Sequence, residues 1–351
     1  MQDTIQNGGD TPSQTRREPP EALPNEVQTS PLPKGSGRHV LRGVAARVRR
    51  NWLRELWDWW LCRQPEFPTA HQVARCLQIL DSHTRTENLD DERPIFLLST
   101  GWRSGSTLLQ RILVTDPRVL LWGEPFGETA VFTHLSKMLC VLADSPAFKP
   151  VNAGKDNRFA TLSTSWIATL YPPGSDFRRG LQAFLYSWLG QSARDRGFSR
   201  WGFKEVRLGA PEAILLHWIF PKAKFVLLSR NPFDCYRSLA DSGWHHLYLR
   251  RPDIRVDSAA GIAKHWNRLA VSWAELPDGF PVFRVKYEDV IACKVDFREL
   301  ESWLGIGLNE AVALSAHVGS TARRPSLGAI ERWIIAHEAH AGIRALGYQK
   351  L

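Results

Sequence analysis

Residues 93–113 read RPIFLLSTGWRSGSTLLQRIL, an apolar strand that runs into a Gly/Ser/Thr-rich turn and then into a helix. Residues 94–100 alternate too little for a half-exposed strand and read as a buried parallel one. The turn that follows then lies at the carboxyl edge of a sheet, where α/β proteins bind ligands. The N–H groups that open the next helix have no partner within it, so they face whatever anion enters the turn. One stretch therefore points both to a parallel sheet and to a cradle for phosphate oxygens.

The turn departs from the nucleoside-triphosphate P-loop pattern. That pattern needs two glycines five apart and a Lys before the final Ser/Thr, to reach the terminal phosphates. Here Gly101 and Gly105 are four apart, and Ser106 and Thr107 follow Gly105 with no Lys. Arg103 is the cation of the turn, with Ser104, Gly105, Ser106 and Thr107 giving backbone donors and hydroxyls behind it. A plain strand-turn-helix corner also accounts for such a turn, so this segment alone leaves both readings open.

A second segment repeats the plan. Residues 220–239, FPKAKFVLLSRNPFDCYRSL, hold a buried strand, then Ser229-Arg230, then Asn231-Pro232 opening a helix. Pro232 suits a first helical turn, where its missing N–H costs nothing. Arg230 then sits at a strand end and Ser238 about two helical turns further on, at about 3.6 residues per turn. Both reach a single phosphate if the chain folds back at the turn; a solvated Arg and a helix-surface Ser are the plain alternative.

Together the two segments resemble the nucleotide site of the sulfotransferases that use 3'-phosphoadenosine-5'-phosphosulfate (PAPS). In that family a turn of the type PRSGTT holds the 5'-phosphosulfate, and a strand-to-helix segment of the type RxPxDxxxS holds the 3'-phosphate. The resemblance implies that Arg103, Ser104, Gly105, Ser106 and Thr107 bind the 5' end of PAPS, and that Arg230 and Ser238 bind its 3'-phosphate. It runs over roughly residues 93–305, with both motifs in the family's order and the Ser eight residues after the Arg.

Three further pieces are similar to the same family. Residues 119–128, VLLWGEPFGE, look like the short strand after which one branch keeps its catalytic carboxylate, here Glu124. Residues 201–207, WGFKEVR, resemble the central strand that ends in a Lys, here Lys204. Residues 280–290, FPVFRVKYEDV, resemble the late strand that leads into a helix through Tyr-Glu-Asp, where Glu288 also reads as an ordinary salt-bridged charge.

Sulfuryl transfer, like phosphoryl transfer, is an in-line displacement in which charge builds on the leaving oxygen while a weak nucleophile loses a proton. The resemblance makes Arg103 the cation at the bridging oxygen. Arg does not readily give up a proton, so Lys204 is the candidate for general-acid or electrostatic help. Glu124 is the general-base candidate for an acceptor hydroxyl, with Trp122 and Phe126 expected to surround it with apolar surface. An anionic leaving group already neutralised by Arg and backbone N–H groups requires no metal. A His serves as base in family members that act on small phenols and steroids, but His245 and His246 lie after the 3'-phosphate helix and His134 falls in an expected helix. Neither has a metal site's ligand spacing around it.

The whole chain sets the frame. It has 351 residues, 43% of them apolar, enough for one large α/β domain with extensions. Residues 1–38, rich in Pro, Gly, Ser, Thr and Gln, are expected to be disordered. They lack the apolar core of a signal peptide. Residues 39–90 are expected to form a basic, Trp-rich helical extension, and residues 91–351 the PAPS-dependent sulfotransferase domain. Within the extension, residues 40–63 carry six Arg against Glu55 and Asp58. That is too charged for a spanning helix. It suits either peripheral contact with an anionic membrane or packing of a Trp face on the catalytic domain, the more usual fate of apolar faces. Five cysteines without framework spacing suggest reduced thiols and a cytoplasmic protein.

Strands are expected near 94–100, 118–122, 199–204, 223–229 and 281–286. Helices are expected near 105–115, 128–143, 177–195, 210–219, 232–241, 259–275 and 296–304, with a helical tail over 330–346. That rhythm predicts a three-layer α/β fold, a mainly parallel sheet with helices on both faces. Residues 144–176 read as a long connection that could cover the acceptor. Arg323 and Arg324 are further candidates for the 3'-phosphate. The net charge of +9 fits an anionic nucleotide, and no nucleic-acid-binding motif is present. The expected acceptor is a small molecule, carbohydrate or lipid, or a protein tyrosine. Two other readings stay open: a P-loop kinase or nucleotide hydrolase using ATP with magnesium, and a non-catalytic nucleotide-binding protein.

Overall fold

The computed structural model describes residues 56–57, 59–60, 67–81, 92–125, 129–144, 174–242, 258–309, 311 and 326–349. The expectations for residues 1–38, for most of 40–63, for most of 144–176, and for Phe126, His245, His246, Arg323 and Arg324 lie outside these residues.

Five strands form one parallel sheet in the order β2-β3-β1-β4-β5. They are β1 (Ile95–Ser99), β2 (Val119–Trp122), β3 (Arg200–Glu205), β4 (Lys224–Ser229) and β5 (Val282–Lys286). Each pairing is parallel, with Phe96 opposite Phe203 on one side of β1 and Phe225 on the other. In β1 every residue is buried, as an apolar run without alternation requires in a sheet covered on both faces.

The pleat sends alternate residues of β1 into two separate cores. Phe96 and Leu98 join Trp201, Phe203, Phe225 and Leu227 beneath α1 (Ala70–Asp81), α3 (Val131–Asp144), α4 (Gly174–Leu185) and α5 (Ala210–Ile219). Ile95 and Leu97 join Leu121, Val226, Leu228 and Val285 beneath α2 (Ser106–Leu113), α8 (Tyr287–Ile291) and α9 (Phe297–Leu304). A third cluster, with Trp102 and Val206, packs α6 (Pro232–Ser242), α7 (Ala259–Ala274), α10 (Ala329–Glu338) and α11 (His340–Ala345) against the carboxyl end of the sheet. The architecture is the three-layer α/β sandwich that the strand-helix rhythm predicts.

Local chemistry explains the helix ends. Ser258 accepts the Gly261 N–H at 3.1 Å to start α7, and Asp296 does the same for Arg298 and Glu299 at α9. Gly209 precedes α5 and donates its N–H to Glu212 at 2.8 Å. Gly202 is demanded by close approach: a Cβ there would lie 1.8 Å from the Ile95 carbonyl oxygen of β1. The expected tail helix is two helices, broken at Ala339 (φ −94°, ψ 4°). The break lets Gly342 settle against Trp266 and Ala270 of α7, with its N–H 2.7 Å from Asn267 Oδ1. Among the described residues no helix is long and apolar enough to cross a membrane.

Asp116 ties the corner between α2 and β2 to the segment after α9. Its carboxylate takes the Arg118 guanidinium at 2.6 Å and the Gly307 N–H at 2.8 Å. Chiefly the Arg118 hydrogen bond, helped by these N–H donors, holds the Asp116 carboxyl well below the usual carboxylate range. A depressed pKa contributes stability that is present above the ordinary value and is lost as pH falls. Asp116→Asn should therefore lower the melting temperature by several degrees at neutral pH. The difference from wild type should shrink below about pH 4, as thermal unfolding across a pH series would reveal.

Candidate active site

Among the described residues, Arg103, Glu124, Lys204, Arg230 and Ser238 lie at or beyond the carboxyl ends of strands. After β1, the Thr100 N–H donates to the Leu228 carbonyl at 3.1 Å, which fixes the start of the turn on β4. Gly101 and Gly105 adopt positive φ (139° and 89°), and so does Arg103 (61°). A left-handed conformation costs a non-glycine residue about 1–2 kcal/mol, and such strain collects at functional turns. The strained unit is held by Arg230, whose Nη1 donates to the Arg103 carbonyl at 2.7 Å. Ser104 Oγ and Thr100 Oγ1 are buried and meet no hydrogen-bond partner among the described residues.

Arg230 leaves β4 and is itself fixed on several sides. Its guanidinium lies 4.2 Å above the Tyr287 ring, and its carbonyl accepts the Trp266 indole N–H at 3.0 Å. Next to it the Asn231 N–H donates to Glu288 at 2.9 Å, and Asn231 Oδ1 accepts the Phe233 N–H at 3.0 Å to open α6. Ser238, on α6, is reached by Arg103: Nε lies 3.1 Å from Oγ. Arg103, Arg230 and Ser238 thus form one contiguous group, and the two strand ends converge.

Behind Arg230 the Cys235 thiol and the Tyr348 phenol keep their protons. Burial pushes the Cys235 thiol up to about 12, so it is an inert neighbour. Burial, then the Glu288 charge, raises the Tyr348 phenol, which keeps its proton and sits 3.2 Å from Glu288 Oε2 and 3.0 Å from Ser229 Oγ. The end of the chain thereby braces the residues that flank Arg230.

On the other side of β1, the β2–β3 register pairs Trp122 with Phe203, and the Lys204 N–H donates to the Gly123 carbonyl at 3.2 Å. That places Glu124 beside the end of β3. Lys204 Nζ contacts Glu124 Oε1, and Arg207 contacts Oε2 through Nη2 and through Nη1 at 3.1 Å. The Glu124 side chain is 28% exposed, against 9% for Lys204 and 8% for Arg207. A carboxylate therefore stands at the solvent edge with two cations behind it.

This corrects the expectation that Trp122 gives Glu124 an apolar surround. The chain bends at Gly123, so Trp122 turns away: its indole N–H donates to the Leu189 carbonyl at 2.9 Å, and Arg196 covers its ring. Among the described residues the contacts of the carboxylate are ionic. Arg207, the last residue of the WGFKEVR stretch, is the member of the site that the sequence did not single out. The signal is a second cation three residues after Lys204, just beyond the end of β3, with the buried Glu205 between them. His134 is exposed on α3.

Chemically the site has two halves. One offers cations, backbone N–H groups and buried hydroxyls to an anion; the other offers a carboxylate whose oxygens are held by Lys204 and Arg207.

Among curated proteins the chain is 27% identical, over 147 residues, to the sulfate/thiosulfate import ATP-binding protein CysA 1 of Chromobacterium violaceum. That match takes in 39% of the chain and about 40% of the relative's length. Among solved structures it is similar to a sulfotransferase from Alicyclobacillus acidocaldarius, with 15% identity, a TM-score of 0.39, and coverage of 72% of this chain and 94% of that one. It is also similar to the sulfotransferase domain from the curacin biosynthetic pathway, with 16% identity, a TM-score of 0.40, and coverage of 74% and 99%. A sulfotransferase domain from the Synechococcus PCC 7002 olefin synthase gives 19% identity, a TM-score of 0.37, and coverage of 76% and 99%. The model of the Sulfotransferase family matches residues 94–310, a span that holds the β1 turn, Glu124, Lys204, Arg207, Arg230 and Ser238. With well over half its length inside that match, the chain belongs to the sulfotransferase family.

Proposed function

We propose that this sulfotransferase takes its sulfuryl group from PAPS and delivers it to a hydroxyl or amine of a small-molecule, carbohydrate or lipid acceptor, with Glu124 as general base. The observation that carries the reading is the convergence of Arg103, Arg230 and Ser238, joined by contacts of 2.7 and 3.1 Å.

The residues present fit a nucleotide with phosphates at both ends. Ser104, Gly105, Ser106 and Thr107 open α2 and supply N–H donors and hydroxyls to the 5' side, where the buried Ser104 hydroxyl is in need of a partner. Arg230 and Ser238 serve the 3'-phosphate. When bound, the donor supplies the sulfuryl group and a nucleotide leaving group. Arg103 holds positive charge at the mouth of the turn. Lys204, a compact cation on a flexible stem, gives electrostatic or general-acid help. Glu124 takes the proton of the acceptor.

Thermal-shift titration tests the donor. Adenosine 3',5'-bisphosphate without metal should stabilise the protein by about 2.7 kcal/mol at a hundredfold excess over its Kd, a rise of roughly 4 °C for a chain of this size. ATP with magnesium should leave the melting temperature unchanged. The partial likeness to CysA 1, named as ATP-binding, supports the opposite pattern, and that pattern would replace PAPS by ATP. Transfer of label from the sulfate donor into a cell extract separates the enzyme from a protein that binds the nucleotide without turnover.

A further inference from the structure

We propose that Arg207 is the positioning residue of the general base, clamped by Glu205 and Trp102 so that one carboxylate oxygen of Glu124 is closed off and the other is left to take the acceptor's proton. The inference rests on the reading of Glu124 as base.

A carboxylate has about four lone-pair directions, two on each oxygen. Arg207 brings both terminal nitrogens to Oε2. Those two N–H groups use up that oxygen. Oε1 is touched by Lys204 and keeps its second direction. Proton transfer to Glu124 is thereby directed to Oε1, the atom next to the Lys204 ammonium.

The fork is held rigidly on its other sides. Arg207 Nε lies 3.3 Å from Glu205 Oε1, and the same oxygen accepts the Val206 N–H at 2.8 Å. Glu205 is 2% exposed, so its charge is compensated inside the protein by Arg207. The guanidinium lies 5.8 Å from the centre of the Trp102 ring, within the range of a cation–π contact. Trp102 belongs to the β1 turn and packs on His265 at 4.6 Å, while Arg268 lies 3.5 Å from the Arg207 carbonyl. Arg207 thus joins the base to the anion-binding turn, so that the two halves of the site keep a fixed geometry. Lys204 cannot replace it: an ammonium lacks the planar fork.

Arg207→Lys keeps a charge against Glu205 and removes the fork. It should lower kcat by about tenfold to a hundredfold, the cost of a misplaced catalytic group. The KM for the donor and the thermal shift with adenosine 3',5'-bisphosphate should stay within about twofold. The double variant Glu124→Gln/Arg207→Lys should be no slower than Glu124→Gln alone, because the two residues act as a unit. Free guanidinium should restore part of the kcat of Arg207→Ala and none of that of Glu124→Gln. If the Lys variant folds poorly, Glu205→Gln gives the same reading: it keeps an oxygen for the Val206 N–H, loosens Arg207, and should lower kcat with donor binding intact. Normal kcat in both variants, a loss confined to donor affinity, or losses that multiply in the double variant would each overturn the proposal. Normal turnover by Glu124→Gln would instead overturn the base assignment itself.

Discussion

Glu124→Gln should bind adenosine 3',5'-bisphosphate as the wild type does and turn over at least about a hundredfold more slowly, since general-base catalysis typically contributes 10² or more. The substitution keeps the shape of the side chain and an oxygen for Arg207, but the amide cannot take a proton. Its effect on donor binding should be small because the Arg103, Ser238 and Arg230 contacts stand on β1, α6 and β4, not on β2. Some stability should be lost as well. Lys204 is nearly buried and loses its carboxylate partner, whereas Arg207 keeps Glu205. Activity measured at saturating donor, beside a nucleotide titration of the same preparation, separates the two effects. Wild-type kcat would remove Glu124 from the role of base.

Some of this site could be read directly along the chain. The β1 turn and the β4 end are continuous segments, and in each the strand, the breaking residues and the helix start occur within twenty-one residues of sequence. Arg103, Arg230 and Ser238 are legible for that reason. The ionic surround of Glu124 is not, because it depends on the register between β2 and β3 and on a bend at Gly123. A run such as VLLWGEPFGE gives no sign that Trp122 will turn toward Leu189 while Glu124 turns toward β3. Arg207 was hidden for a related reason. Its value comes from Glu205, Trp102 and Glu124 together, which lie on three different strand ends. The break at Ala339 is tertiary too: the tail is periodic enough for one helix, and only its approach to Trp266 requires two.

The other large effect expected lies in the turn itself. Gly105 has φ 89°, and a Cβ built there would lie 2.1 Å from Tyr287 Cδ2 and 2.4 Å from Cε2. Gly105→Ala thus meets two obstacles, a left-handed backbone that costs about 1–2 kcal/mol and a ring already in the way. The ring cannot simply swing aside, since Tyr287 is buried and carries the Arg230 guanidinium on its face at 4.2 Å. Either the turn moves or the ring does, and each movement disturbs Arg230, whose Nη1 holds the Arg103 carbonyl. The variant should melt several degrees below wild type and bind adenosine 3',5'-bisphosphate at least about tenfold more weakly, the consequence of losing one well-placed charged contact. Repeating the change in a Tyr287→Ala background isolates the steric part: there Gly105→Ala should cost markedly less, because only the backbone strain remains. Equal costs in the two backgrounds would mean that the ring does not dictate the glycine, and that the turn is shaped by its own dihedral angles alone.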